Sequence, residues 1–248
     1  MYSSLLNDYH NGFRMRILIS CFLRIKMQAA KVWMLLNLQN TTNDQMIALL
    51  SQRHLDYQQQ DIVIDHLVKS HMGSFKPILN HFDLFNVKIT NYLDFGCGNG
   101  VKTAAIKNLL RLQSAYGVDI HNTLQVNDIH FYNLNDVKNT YDLITINQVL
   151  HHVEDLQPIL QQLTLLLNTH GYLLLKEHAC DTTNDKLLID LQHDLYKIDK
   201  QEYYPVFHYK TKQEWIDTIT SFGLQYVNQY VEHHDPTKSF YALFKHTQ

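Results

Sequence analysis

Glycine and proline are scarce in this chain, eight and four of 248 residues, and no repeat period or long low-complexity tract is visible. That composition excludes collagen-like and Gly/Pro-rich linker architectures. Cysteine is rarer still. Cys21, Cys97 and Cys180 are far apart and odd in number, which fits a reducing compartment, the cytoplasm, better than a disulfide framework. Neither sign of charge dominates: 21 Lys and Arg stand against 24 Asp and Glu, a net charge of -3. The whole-chain field therefore gives no reason to expect a nucleic-acid or membrane partner. Long apolar runs are missing too. Ile17 to Leu23, behind Arg14 and Arg16, stops at Arg24 and Lys26, far short of the roughly 20 residues of a membrane span, and reads as part of an amphipathic helix.

What the chain does have is 45% hydrophobic residues, enough for one large core. Up to about Phe82 the apolar spacing is helical, in RILISCFLRIKMQAAKVWMLL, in a run from Gln45 and in DIVIDHLVKSH. Residues 1–82 are thus expected to form a helical N-terminal extension, and residues 83–248 the main domain. From Tyr92 the pattern changes to short apolar runs, YLDF, AYGV, IHFY, YDLITI and GYLLLKE, which suit strands buried on both faces of a parallel sheet. Helical spacing separates several of them. Val153, Leu156, Ile159, Leu160, Leu163 and Leu167 mark one helix, and Lys186 to Ile198 a second. A third opens on the capping box TKQE, Thr211 with Glu214, and ends near Gly223. LQYVNQYV and SFYALF then close the chain as an antiparallel hairpin. The expected fold class is α/β, a doubly wound Rossmann-like sheet.

Three of the eight glycines fall in one five-residue loop, Gly96, Gly98 and Gly100 of YLDFGCGNG. In such folds the turn from first strand to first helix lies at the ligand site, and the helix beginning near Val101 turns its free N–H groups toward it. A dinucleotide would place pyrophosphate there. The spacing departs from G-x-G-x-x-G, however, since position 101 is Val, and Asp94 would set a negative charge close to a phosphate. The carboxylate argues instead for a cationic ligand and against a nicotinamide dehydrogenase. Asp119 stands 19 positions after the last glycine, at the end of the second strand, where a carboxylate accepts from ribose hydroxyls. A nucleoside with a positively charged, phosphate-free tail suits both acids, and S-adenosylmethionine is one.

YLDFGCGNG, YGVDI, YDLITINQVLHHVED and GYLLLKEH together resemble the motif series of class I S-adenosylmethionine-dependent methyltransferases, over residues 90 to 248. The resemblance implies that Asp94, Gly96, Cys97 and Gly98 lie by the methionine end of the cofactor. It implies that Asp119 holds the ribose, that Ile120 packs on the adenine, that Asn133 and Leu134 border its other edge, and that Asn147 and Gln148 sit beside the methionine. The linkers IHNTLQVND and LNDVKNT are shorter than this family's usual helices would need.

A methyl acceptor that is a hydroxyl or an ammonium must lose a proton, and His151, after the fourth strand, or Glu177, ending the fifth, is the expected base. Sixteen histidines are present, paired at His151-His152 and His233-His234, but no spacing matches a zinc finger or H-E-x-x-H, so no metal is expected. Cys97, with no neighbouring His, reads as a packing residue. QEYYPVFHYK, rich in aromatics, is expected to cover the substrate or to pack on the core. The acceptor is expected to be a small molecule. Two alternatives stand beside that reading. Lys76 and Lys176 resemble two lysines of the FtsJ-like RNA 2′-O-methyltransferases, although Asn147 stands where their acid would and Glu214 is explained by the cap. A cofactor-binding scaffold without turnover would keep the same glycines and acids.

Overall fold

Each apolar run from Tyr92 onward becomes a strand in the computed structural model, which describes residues 61–121, 126–183, 204–232 and 238–247 together with 185, 186, 189, 190 and 193. The helices expected before residue 61, Cys21, Tyr203, His233-His234 and the far part of the Lys186 to Ile198 helix lie outside these residues. The elements are α1 (Asp61–His81), β1 (Tyr92–Phe95), α2 (Val101–Leu110), β2 (Ala115–Val118), β3 (Ile129–Tyr132), β4 (Tyr141–Asn147), α3 (Leu156–Leu165), β5 (Leu167–His178), α4 (Lys212–Thr220), β6 (Leu224–Val231) and β7 (Ser239–His246). A single 3₁₀ turn, Leu134–Asp136, lies between β3 and β4, as the shortness of LNDVKNT predicts.

One seven-stranded sheet runs β3-β2-β1-β4-β5-β7-β6, parallel except for β7, which is antiparallel to both β5 and β6. The α/β expectation and its closing antiparallel pair are both met. Strand order reverses between β1 and β4, so a crevice opens beyond their carboxyl ends, the place where open α/β sheets bind ligands.

The period of two along the strands divides the core into two layers. Leu93, Phe95, Ile144, Ile146, Leu173 and Leu175 face α3 and α4 through Leu160, Leu163, Trp215 and Ile219. Tyr92, Leu143, Leu174 and Leu243 face α1 and α2 through Phe75, Ile78, Leu79, Ala105 and Ile106. The helix α1 therefore shares the sheet's own core, and the boundary expected at residue 82 does not separate two cores. Asp94, between Tyr92 and the loop, and Thr145 beside it are buried polar side chains on this second face. Helix α4 begins at the predicted capping box, with Glu214 N donating to Thr211 Oγ1 (3.2 Å) and Thr211 N to Glu214 Oε2 (2.7 Å). Gly223, in left-handed backbone, closes the turn that follows the helix. No helix among the described residues is long and apolar enough to cross a membrane.

Candidate functional site

The three loop glycines all take left-handed backbone, with φ of 76°, 53° and 78° at Gly96, Gly98 and Gly100. Space as well as conformation excludes a side chain at Gly96, because a Cβ there would stand 2.2 Å from Val149 Cγ2. The loop is fastened to β2: Gly96 N and Cys97 N donate to Val118 O at 2.7 and 3.1 Å. Gly98 N donates to Asp119 Oδ2 at 2.7 Å, and His121 N to Asp119 Oδ1 at 3.1 Å. Each Asp119 oxygen thus receives one backbone donor and keeps acceptor capacity for a ligand hydroxyl. Cys97 is buried against Gly117, and burial, with Asp94 and Asp119 nearby, pushes its thiol far above the usual range. It is the packing residue its surroundings predicted.

Asp94 belongs beneath the loop rather than on its open face. Its side chain is 1% exposed, and Thr103 Oγ1 and Thr145 Oγ1 each donate to one carboxylate oxygen at 2.6 Å, with the Tyr92 hydroxyl 2.9 Å from Thr145 Oγ1. The expectation that this charge meets the ligand directly is corrected accordingly: Asp94 ties β1, β4 and α2 together under the glycines. Desolvation raises its pKa, against the lowering effect of the two threonine hydrogen bonds. Because the folded pKa lies above the unfolded one, Asp94 favours the folded state fully below the ordinary carboxyl range and loses that contribution as pH rises through the folded value. Asp94→Asn is therefore expected to gain in melting temperature relative to the native chain as pH rises from the acid side toward neutrality. Thermal unfolding of both proteins across that range measures it, and a difference independent of pH would refute the assignment.

A cavity of about 650 Å³ opens beyond β1 and β4. Of the residues expected to hold the cofactor, Gly96, Gly98, Asp119, Ile120, Asn133, Leu134, Asn147 and Gln148 line it, and Asp94 and Cys97 do not. Ile120 is 79% exposed at the rim of the cavity. Asn147 is buried, and its Nδ2 makes no hydrogen bond with the described residues, the kind of orphan donor that a ligand satisfies. Gln148, in left-handed backbone, anchors its N–H on Lys176 O at 2.8 Å.

Histidines form the far wall. His151, in the 3₁₀ turn Leu150–His152, is 3% exposed and has Nδ1 2.6 Å from Glu177 Oε2. Glu177 does not line the cavity, and its other oxygen accepts from Val149 N and Leu150 N at 3.1 and 2.8 Å. Of the two expected bases, His151 alone reaches the cavity, and Glu177 acts by holding it. His178 and His193 complete the wall. His178 was visible in sequence at the end of β5. His193 was not, because it meets His151 across 42 residues of sequence and no spacing rule encodes that contact. Burial, then neighbouring imidazoles, lowers the pKa of His152 to about 4, and burial is also the first cause of the lowered values at His178 and His193.

Residues 204–210 cover this wall. Phe207 N donates to His151 O at 2.8 Å, His208 Nε2 to Val153 O at 2.8 Å, and His152 Nδ1 to Pro205 O at 2.9 Å, while Tyr204 lines the cavity. The aromatic segment thus both packs and covers. The set of charges resembling an RNA 2′-O-methyltransferase is dispersed: Lys76 lines a different cavity with Met72 and Phe85, Lys176 pairs with Glu232 at 2.8 Å, and Glu214 caps α4.

A family of known proteins, described as the methyltransferase domain, matches residues 44–229, more than half of the chain. The chain belongs to that methyltransferase family. Its sheet is the class I methyltransferase sheet, its activity S-adenosylmethionine-dependent methyl transfer, and its cofactor S-adenosylmethionine. The glycine cradle, the spare acceptor sites of Asp119 and the orphan amide of Asn147 fit that cofactor. Two solved structures share the methyltransferase fold. One is a candidate sarcosine dimethylglycine methyltransferase from Galdieria sulphuraria, at 11% identity and TM-score 0.54, covering 71% of this chain and 86% of that one. The other is a chain of the complex between a Haloferax volcanii methyltransferase and its Trm112 activator, at 10% identity and TM-score 0.51, covering 75% and 98%. No protein of curated function matches the methyltransferase in sequence.

Proposed function

We propose that this methyltransferase transfers the methyl group to a small molecule seated between the glycine loop and the histidine wall, on oxygen or nitrogen. The observation that carries the proposal is a cavity of about 650 Å³, within the range of small-molecule sites, lined by both the loop and the wall and covered by residues 204–210. In this reading Asp119 accepts from the ribose hydroxyls, Ile120 and Leu134 flank the adenine with Asn133 at its edge, and Gly96, Gly98, Asn147 and Gln148 face the methionine end. When bound, S-adenosylmethionine supplies an electrophilic methyl on a sulfonium.

The chain's own residues contribute position and dryness. Backbone at Gly96 can approach the donor because no Cβ intervenes, and the covering segment excludes water from the reacting centre. His151 Nε2, which lies 3.1 Å from His193 Nε2 in the cavity wall, is the atom that would take the acceptor's proton, and Glu177, holding Nδ1, fixes its tautomer and orientation. A buried free Cys97 suits a reducing compartment, the cytoplasm. An RNA acceptor receives little support, since the net charge is -3 and the two lysines are engaged elsewhere.

The test is transfer of label from methyl-labelled donor into a cell extract separated into small-molecule, RNA and protein fractions. Label in the small-molecule fraction is the expected result. Label confined to RNA would replace this acceptor class, and binding of the donor without transfer to any fraction would leave a scaffold.

A further inference from the structure

Three histidines from three different parts of the chain converge on the cavity wall. One ring nitrogen from each of His151, His178 and His193 lies within 4.8 Å of the other two. They are 3%, 4% and 9% exposed. We propose that these three side chains are the ligands of one divalent transition-metal ion, held with an open coordination position toward the cavity.

The hydrogen bonds orient each ring for that purpose. His151 Nδ1 is engaged by Glu177 Oε2 (2.6 Å), His193 Nδ1 by Ile189 O (2.7 Å), and His178 Nδ1 by Ser239 Oγ (3.3 Å). With each Nδ1–H so directed, Nε2 carries the lone pair; that of His178 accepts from Gln148 Nε2 at 3.5 Å, a contact the ion would replace. Metal-bound histidines show this arrangement, with the second nitrogen donating to a carboxylate or backbone carbonyl that sets tautomer and basicity. The Nε2 atoms of His151 and His193 are 3.1 Å apart. Two acceptor lone pairs at that distance repel unless something positive lies between them.

A proton on His151 would satisfy two of the nitrogens, whereas an ion satisfies three. Tetrahedral zinc with bonds of about 2.0–2.1 Å sets its ligand atoms about 3.3 Å apart, close to the His151–His193 separation. Small rotations of the His178 ring bring in the third. The Glu177 carboxylate, fully buried behind His151, supplies compensating negative charge. Three neutral imidazoles suit zinc, cobalt, nickel, copper or iron in the divalent state and disfavour magnesium and calcium, which prefer oxygen. Three protein ligands with an open fourth position are the pattern of a site that takes a water or a substrate.

The inference narrows the acceptor class, and only in that respect does it rest on the proposed small-molecule reading. An acceptor with an oxygen or nitrogen able to bind the ion would be fixed beside Asn147 and Gln148, where the methionine end is placed. His151 Nε2 cannot both bind the ion and take the acceptor's proton, so in the metal-loaded protein its duty as base ends.

The experiment uses the full chain, stripped with a chelator and desalted. Cobalt(II) is added as a spectroscopic probe, and zinc is titrated by calorimetry. One equivalent should bind, with the visible absorption of tetrahedral cobalt. His193→Ala and His178→Ala should each weaken zinc binding about 100-fold or more, and Glu177→Gln, which keeps an acceptor oxygen, about 10- to 100-fold. Circular dichroism confirms that each variant is folded. Failure to bind one equivalent, or binding that survives His193→Ala and His178→Ala unchanged, overturns the site and leaves a proton between His151 and His193. Stabilisation by S-adenosylhomocysteine, read on the same stripped protein, reports the cofactor site separately, so loss of one reading is distinguishable from loss of the other.

Discussion

Gly96→Ala should lose about 2–5 kcal/mol of stability, the largest effect of any one-methyl change in the loop. Two independent terms contribute. Alanine at φ 76° carries the left-handed penalty of about 1–2 kcal/mol. Its Cβ would also meet Val149 Cγ2 at 2.2 Å, and overpacking of that kind costs about 1–3 kcal/mol. The terms separate in a double-mutant cycle: Val149→Ala in the Gly96→Ala background removes the γ-methyl clash but leaves the backbone strain. A coupling of about 1 kcal/mol or more between the two positions is expected from urea denaturation. If Val149→Ala restores nothing, the glycine is there for its backbone angle alone, and the loop is not braced on the segment after β4.

Asp119→Ala is expected to remove most of the stabilisation that S-adenosylhomocysteine confers. A ligand at 100 times its dissociation constant raises stability by about 2.7 kcal/mol. A charge-assisted hydrogen bond contributes about 1.5–3 kcal/mol, so loss of the carboxylate should weaken binding at least about tenfold. The change also frees Gly98 N and His121 N, whose acceptor it is. The melting temperature of the unliganded variant must therefore be recorded beside the liganded one. Unchanged stabilisation by the ligand would place the ribose elsewhere.

The part of the site carried by single residues in local context was legible in the sequence. A glycine that needs left-handed backbone announces itself where glycine is otherwise scarce, and Asp119 follows a short apolar run by a spacing that the strand-turn-helix unit dictates. Asp94 was legible as important and misplaced in role. Whether a carboxylate inside a strand faces a ligand or a threonine depends on which face of the sheet it occupies, and Thr103 and Thr145 reveal that only when the strands are paired. The histidine wall was the least legible part. His151 and His193 are 42 residues apart, and their contact depends on how the chain returns after β5. Local spacing rules for metal sites are silent on such an arrangement.

The strand β5 carries Glu177 and His178 at its end and is paired on both sides, Lys176 with Asn147 of β4 and Glu177 and His178 with Phe240 and Ser239 of β7. A central strand of this kind opens only with the whole domain, so its amides belong to the slowest class in hydrogen exchange. Residues 204–210 have no strand partner among the described residues; they are held by contacts to the turn after β4, by Lys210 O, which accepts from Cys180 N at 2.9 Å, and by the Tyr209 hydroxyl bonded to Asp190, so their amides are expected to exchange faster than those of β5. The part of the wall that β5 carries, His178 and the Glu177 that holds His151, is thereby expected to stay in place through openings of the cover, whereas His151 itself, bonded to Phe207 N, feels each of them.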